Sequence, residues 1–183
     1  IEAPMMKTRC KYIGWGLDLP YLGNQEPKYD FFHNAGWLGI NFRCGTDLVH
    51  KAFCQIKESG LNPTLCIHAQ VPPSYLECYK PISGLTWLEQ EVMPPGLYHT
   101  GRVTVQPSRL EGLGLKLVEA LWQGRPVITT DSPPMNEFVT NSCGACLPIY
   151  ETKNRSDGIS FPETSISPEK LAKLLALKTI AVK

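Results

Sequence analysis

No stretch of this chain approaches the roughly 18 consecutive apolar residues that a membrane-spanning helix needs. The first ten residues, IEAPMMKTRC, lack the apolar centre of a secretory signal. An excess of charge of either sign is also missing, for the formal net charge is +1. That removes the bulk electrostatic basis for binding nucleic acid or an anionic membrane, so any basic chemistry must be local. There are no internal repeats and no low-complexity tracts. No Asp-x-Asp pair occurs and no His/Cys cluster has metal-ligand spacing, so neither a metal nor a cofactor is expected. Cysteine is present but unpatterned: seven residues, of which Cys54 and Cys66 lie in apolar runs and only CGAC (Cys143 to Cys146) has a two-residue spacing. Without a second such pair, reduced structural thiols and a reducing, cytoplasmic compartment are the expectation.

What is there is enough for one domain with a sizeable core: 183 residues, 43% hydrophobic and 19% charged. Position 1 is Ile rather than Met, and a domain cut from a longer protein is expected. Residues 1–28 are rich in Pro, Gly and polar residues with little periodicity, and read as a linker or leading arm. From residue 29 to 183, strand-like runs alternate with helical ones. KYDFFHNAG, PTLCIHA, LTWLE, RVTVQPS, RPVITTD and GACLPIY read as strands. TDLVHKAFCQIKESG places Val49, Ala52, Phe53 and Ile56 on one helical face, with Thr46 as cap and Gly60 as stop. PPGLYHTG and PPMNEFV read as short helices, and SPEKLAKLLAL as a final helix capped by Ser167 with Pro168 in its first turn.

Such alternation predicts an α/β, Rossmann-like parallel sheet with helices on both faces. Ligands of such sheets bind beyond the carboxyl ends of the strands. Four loops follow as candidates: 36–45, 70–75, 107–114 and 131–137. The third is the most informative. The run PSRLEGLGLKLVEALWQGRP joins a strand to an apolar helix through Gly112 and Gly114, and carries Glu111 and Glu119 eight positions apart. Glycines let backbone N–H groups approach a ligand, and a helix N-terminus adds partial positive charge, so the turn suits a phosphate. The same glycines also serve a plain tight turn. Glu119, with Lys116 and Gln123 at i−3 and i+4, lies on a narrow polar stripe that reads equally as a solvated face. Carboxylates grip vicinal hydroxyls of sugar rings, and a nucleotide sugar has a diphosphate between two such rings. A carboxylate pair for glycoside hydrolysis is the rival use, but it leaves the glycine turn unexplained.

The run PSRLEGLGLKLVEALWQGRPVITTD…NE resembles the nucleotide-sugar motif of retaining glycosyltransferases of the GT-B fold, glycosyltransferase family 4, with its Glu-x7-Glu followed by A-x-x-G-x-PVI. Weaker similarity runs back through FFHNAG, RCGTDLVHKAF and LYHTGRVTVQPS. The resemblance implies one half of a GT-B fold, the half that binds the donor, with the acceptor side supplied by an N-terminal domain absent here. It implies that Glu111 contacts the transferred sugar and Glu119 the ribose, while in the site turn Gly112–Leu113–Gly114–Leu115 the backbone amides at Gly114 and Leu115 hold the distal phosphate. Arg43 and Gly45 in the first loop, and Glu137 after PPMN, complete the implied site. One departure stands out: where the family has Lys-Gly, this chain has Cys44-Gly45, and a thiol does not stabilise a departing diphosphate as an ammonium does. A second is Arg102, where the family has an acidic residue.

The function expected is therefore transfer of a hexosyl group from a nucleotide sugar to a hydroxyl of a sugar, lipid or protein acceptor. A non-catalytic sugar-nucleotide binder and a glycosidase or phosphorylase are the alternatives. Contact with a membrane periphery is not indicated by these residues. His33 and His68 end strands and either line the cleft or are satisfied in the core. Trp87 either stacks on a base or packs in the core.

Overall fold

Consecutive phenylalanines in YDFFHNAG must point to opposite sides of an extended chain, and both Phe31 and Phe32 are fully buried. The strand that carries them is therefore covered on both faces, as a parallel sheet requires. The computed structural model describes residues 16–37, 43–71, 73–153 and 163–181. The first half of the expected leading arm, Cys10, and part of the first candidate loop lie outside the described residues.

Six parallel strands form the sheet: β1 (Tyr29–Gly36), β2 (Leu65–Ala69), β3 (Leu85–Leu88), β4 (Gly101–Gln106), β5 (Val127–Thr130) and β6 (Gly144–Leu147). Their order is β3-β2-β1-β4-β5-β6, so the chain winds outward one way from β1 and then the other way from β4. Helices α1 (Thr46–Glu58) and α4 (Pro168–Ala181) cover one face; Val49, Phe53, Ile56, Leu171 and Leu175 meet Phe31, Leu65, Ile67, Val105 and Ile128 there. The other face is covered by α2 (Leu115–Trp122) and the one-turn α3 (Met135–Phe138), where Leu117, Ala120 and Met135 close over Phe32, Cys66 and Val127. Tyr98, in a single helical turn at Tyr98–Thr100, stands edge-on to Phe32 at 5.5 Å between ring centroids. This is the Rossmann-like architecture the alternation predicts.

The expected caps divide. Ser167 caps α4 through its hydroxyl, 3.3 Å from the N–H of Lys170. Thr46 does not cap α1: it is the first helical residue, its hydroxyl bonds His33 instead, and the cap is Gly45 at φ 71°. A side chain at Gly45 would strike the carbonyl of Pro107, so glycine is needed there for conformation and for space. A two-stranded antiparallel ribbon, β7 (Glu151–Lys153) with β8 (Glu163–Ser165), follows β6 and is not foreshadowed by the sequence pattern.

Residues 16–28 contain no helix or strand, yet they are anchored. Gln123, fully buried, accepts from the N–H of Leu22 at 2.7 Å and donates to the carbonyl of Pro20 at 2.8 Å. Arg125 donates to the carbonyls of Gly23, Gln25 and His99. The described part of the arm is thus strapped to the carboxyl end of α2.

Candidate functional site

The strand order reverses between β1 and β4, and at that point the loops leaving the two strands diverge and open a crevice. An open cleft of about 490 Å³ lies there. It is lined by Asn34 and Gly36 from β1, Trp37 and Arg43 beyond it, His68 from β2 and Gln70 just after it, and Tyr98, Glu111, the turn 112–115, Lys116 and Glu119. Most of the residues expected at the site therefore meet on one surface.

Each carboxylate is held at one oxygen by a hydroxyl. Ser108 donates its hydroxyl to Glu111 Oε1 at 3.0 Å, and the Glu111 side chain is only 5% exposed. Its other oxygen faces Arg43 Nη2 at 3.8 Å, too long for a direct hydrogen bond and close enough for attraction. Arg109 fixes this loop with a two-pronged pair to Asp47 of α1, both distances 2.7 Å, while its backbone N–H reaches the carbonyl of Arg43 at 2.8 Å. Loops 43–45 and 107–114 are thereby locked together by a residue whose role has no motif to betray it.

Glu119 accepts from Tyr98 Oη at 2.6 Å, and Tyr98 in turn accepts from Asn34 Nδ2 at 2.7 Å. Burial raises the Glu119 carboxyl above its ordinary value, against the opposing pull of the Tyr98 hydrogen bond and the Lys116 charge. The Tyr98 hydroxyl is pushed well up by burial and by Glu119, which keeps it a proton donor. So the polar stripe of α2 is no solvated face. Lys116 turns toward β1, Glu119 toward Tyr98, and Gln123 toward the arm.

The turn between the carboxylates has two kinds of glycine. Gly114 sits at φ 67° as the cap of α2, with the Phe138 ring 3.2 Å from where a Cβ would be, so glycine is structurally required. Gly112 has nothing within 4 Å of that position and no such backbone demand. Its bareness leaves space in the cleft rather than in the fold. The first N–H of α2 to find an acceptor within the turn is that of Leu117, on the Gly114 carbonyl. Those of Leu115 and Lys116 precede it, where helix geometry leaves donors for a ligand.

Other expected residues fall elsewhere. Glu137 lines a second cavity of about 480 Å³ beside the first, which shares Arg43, Glu111 and Gly112 but not Glu119. Gly45 lines neither cavity; it supports the loop by its fit against Pro107. His33 is a core residue: Nδ1 donates to the Val105 carbonyl at 2.7 Å, so Nε2 accepts from Thr46 Oγ1 at 2.8 Å. Burial lowers its pKa to about 3, keeping the ring neutral. His68 donates Nε2–H to the Gln90 carbonyl at 2.8 Å and lines the cleft. Trp87 packs on Tyr79 at 5.2 Å and belongs to the core, while Trp37, 70% exposed, is the aromatic at the cleft's edge. The six cysteines among the described residues are free thiols, and no group of three His, Cys, Asp or Glu there could hold a metal ion. No helix among the described residues is long and apolar enough to cross a membrane.

The fold and the crevice define a Rossmann-type domain with a cleft where the strand order reverses. The family model "Glycosyl transferases group 1" matches residues 35–173, well over half of the sequence, and the chain belongs to that family. Compared by sequence, no curated protein matches it. Among solved structures it is similar to the glycosyltransferase WaaG involved in lipopolysaccharide biosynthesis (TM-score 0.64, 19% identity, 85% of this chain and 39% of that one). It is similar also to the pneumococcal O-GlcNAc transferase GtfA in complex with UDP and GlcNAc (0.59, 20%, 91% and 31%). A third is the C-terminal domain of a glycosyl transferase group 1 family protein, LpcC, from Francisella tularensis (0.58, 14%, 82% and 75%). The fold is that of one half of a GT-B glycosyltransferase, and the chain spans less than two fifths of GtfA and WaaG.

Proposed function

We propose that this chain is the donor-binding half of a retaining glycosyltransferase that takes a hexosyl group from a nucleotide sugar to an acceptor hydroxyl. The observation that carries the reading is the arrangement around the glycine turn. Glu111 and Glu119 line one cleft on either side of Gly112–Gly114, each oriented by a hydroxyl bonded to one of its oxygens. In this reading Glu119 grips the ribose hydroxyls and Glu111 those of the transferred sugar. The N–H groups at Gly114 and Leu115 meet the distal phosphate, where the α2 dipole favours negative charge. Arg43 stands 56% exposed at the junction of the two cavities, placed to attract the leaving group as its bond to the sugar breaks. The acceptor hydroxyl attacks from the face the diphosphate leaves, so the anomeric configuration is kept. The protein's own dipoles and cations serve where a metal otherwise would.

GtfA, bound to UDP and GlcNAc in its crystal, lends support to a donor of this kind. An N-terminal domain would supply the acceptor, so this chain alone binds donor and transfers little. Calorimetric titration with UDP, GDP, ADP and their sugar conjugates tests the reading. One nucleotide is expected to bind, and Glu119→Ala to weaken it about tenfold or more with the fold intact, a loss of about 1.4 kcal/mol. Absence of binding by every nucleotide at millimolar concentration would overturn it.

A further inference from the structure

The reading above leaves the anion at the centre of the cleft facing a loop whose residue 44 is a thiol. Resting on that reading, we propose that Lys116 is the cation of the diphosphate subsite, delivered from helix α2 rather than from the loop. Lys116 is the second residue of α2, and its stem crosses the crevice to the end of β1. There Nζ donates to the carbonyls of Asn34 at 3.0 Å and Ala35 at 3.3 Å, and to Cys44 Sγ at 2.9 Å. Gly36 makes room for it: a Cβ at that residue would stand 3.1 Å from Nζ. The ammonium thus sits where β1 ends, at the point from which the sheet winds both ways, and lines the same cleft as Glu111, Glu119 and the glycine turn.

Three features mark it as an anion site rather than a structural tie. Its acceptors here are two carbonyls and a sulfur, so the ammonium is oriented by groups that carry no formal charge. One of its three protons is spent on sulfur, a weak acceptor, and passes to a phosphate oxygen with a net gain because charged acceptors bind about twice as strongly. Lastly, Nζ shares the crevice with the first N–H groups of α2, so a point charge and a helix terminus converge on one ligand. Cys44, 1% exposed, gives this ammonium a neighbour small enough to leave its position open. A second lysine at residue 44 would instead crowd two like charges together.

The test compares the full chain with Lys116→Met and Lys116→Gln, using inorganic pyrophosphate, the nucleoside diphosphate that binds the parent, and the corresponding nucleoside. Both variants are expected to lose tenfold or more in affinity for pyrophosphate and for the diphosphate, with nucleoside affinity unchanged and a shallower salt dependence. Adding Cys44→Lys to Lys116→Met returns an ammonium to the same spot and recovers at least half of the lost affinity on a logarithmic scale. If Lys116→Met fails to fold, Lys116→Gln, which keeps donors for the carbonyls without the charge, gives the same reading. Variants that bind pyrophosphate and diphosphate like the parent overturn the assignment while the donor-binding reading stands. A parent that binds neither anion overturns both.

Discussion

Protonating one buried ring of β1 destabilises the fold, and the size of the effect follows from the structure. His33 is fully buried between β1, β4 and the start of α1, with a pKa lowered to about 3 from the ordinary 6.5, chiefly by burial, with the Lys116 charge adding to it and the Val105 hydrogen bond and Asp47 opposing. A group whose folded pKa lies below its unfolded one stabilises the fold above the unfolded value and loses that contribution as pH falls. The unfolded chain takes up the proton near 6.5, the folded chain only near 3, so the loss accrues across that window. At about 1.4 kcal/mol per unit, lowering the pH from 7 to 5 removes about 2 kcal/mol through this residue alone. The charged ring has two N–H donors and can no longer accept from Thr46, which begins α1 next to Gly45 and Cys44. Urea unfolding at the two pH values, for the parent and for His33→Gln, isolates the term. Glutamine retains a donor for Val105 and an acceptor for Thr46 but does not titrate. His99, also lowered by burial, and Glu119, raised by burial and acting in the opposite sense, contribute alike to both proteins and cancel. A parent that loses no more stability than His33→Gln between pH 7 and 5 refutes the neutral, buried assignment.

The two glycines of the turn separate fold from function. Gly114→Ala, forced to φ 67° beside Phe138, is expected to lose about 1–2 kcal/mol in thermal or urea unfolding. Gly112→Ala, with open space at its Cβ, is expected to stay within about 0.5 kcal/mol of the parent yet to weaken nucleotide-sugar binding measured by calorimetry. Tyr98→Phe keeps the ring against Phe32 but strands the Asn34 amide and frees Glu119 to move. The expected cost is about 1.5–3 kcal/mol of stability, with a fall in nucleotide affinity as Glu119 loses its fixed position. Equal nucleotide affinity in a folded Tyr98→Phe protein counts against Glu119 as the ribose grip.

The strand–helix alternation was legible because parallel strands buried on both faces are short unbroken apolar runs, and FF, CI and VIT are such runs. The Glu-x7-Glu spacing was legible because the two carboxylates flank a glycine turn at a strand end, where an acidic residue has no obvious structural use. Other features left no local mark. β7 and β8 are three residues each with nine residues between them, so no periodicity develops. Thr46 has the chemistry of a cap, but His33, distant in sequence, competes for its hydroxyl and wins. Arg109 binds Asp47 sixty-two positions away, a pairing that only the fold reveals. Lys116 is hardest of all. A lysine three positions before a glutamate on a helix reads as a solvated pair, and its turn toward β1 depends on Gly36 and Cys44 leaving space for it.

The stripe on α2 shows how these parts bear on one another. Lys116, Glu119 and Gln123 lie on one side of the helix, yet each reaches a different part of the molecule: the end of β1, the Tyr98 turn, and the strapped arm at Pro20 and Leu22. A helix held at three points along its polar edge, with Leu117 and Ala120 sunk in the core on the other, has little freedom to rotate about its axis. Rotation by even one residue would swing Glu119 off Tyr98 and Lys116 off β1 together. The acidic, glycine-rich mouth of α2 is therefore not flexible in the sense its composition implies. Gly114 is locked by its conformation, Glu111 by Ser108, and the helix by its own polar edge, while Gly112 is left bare toward the cleft. Preorganisation of that kind is what binding a charged, hydroxyl-rich donor requires, because little side-chain or loop entropy remains to be lost when the ligand arrives.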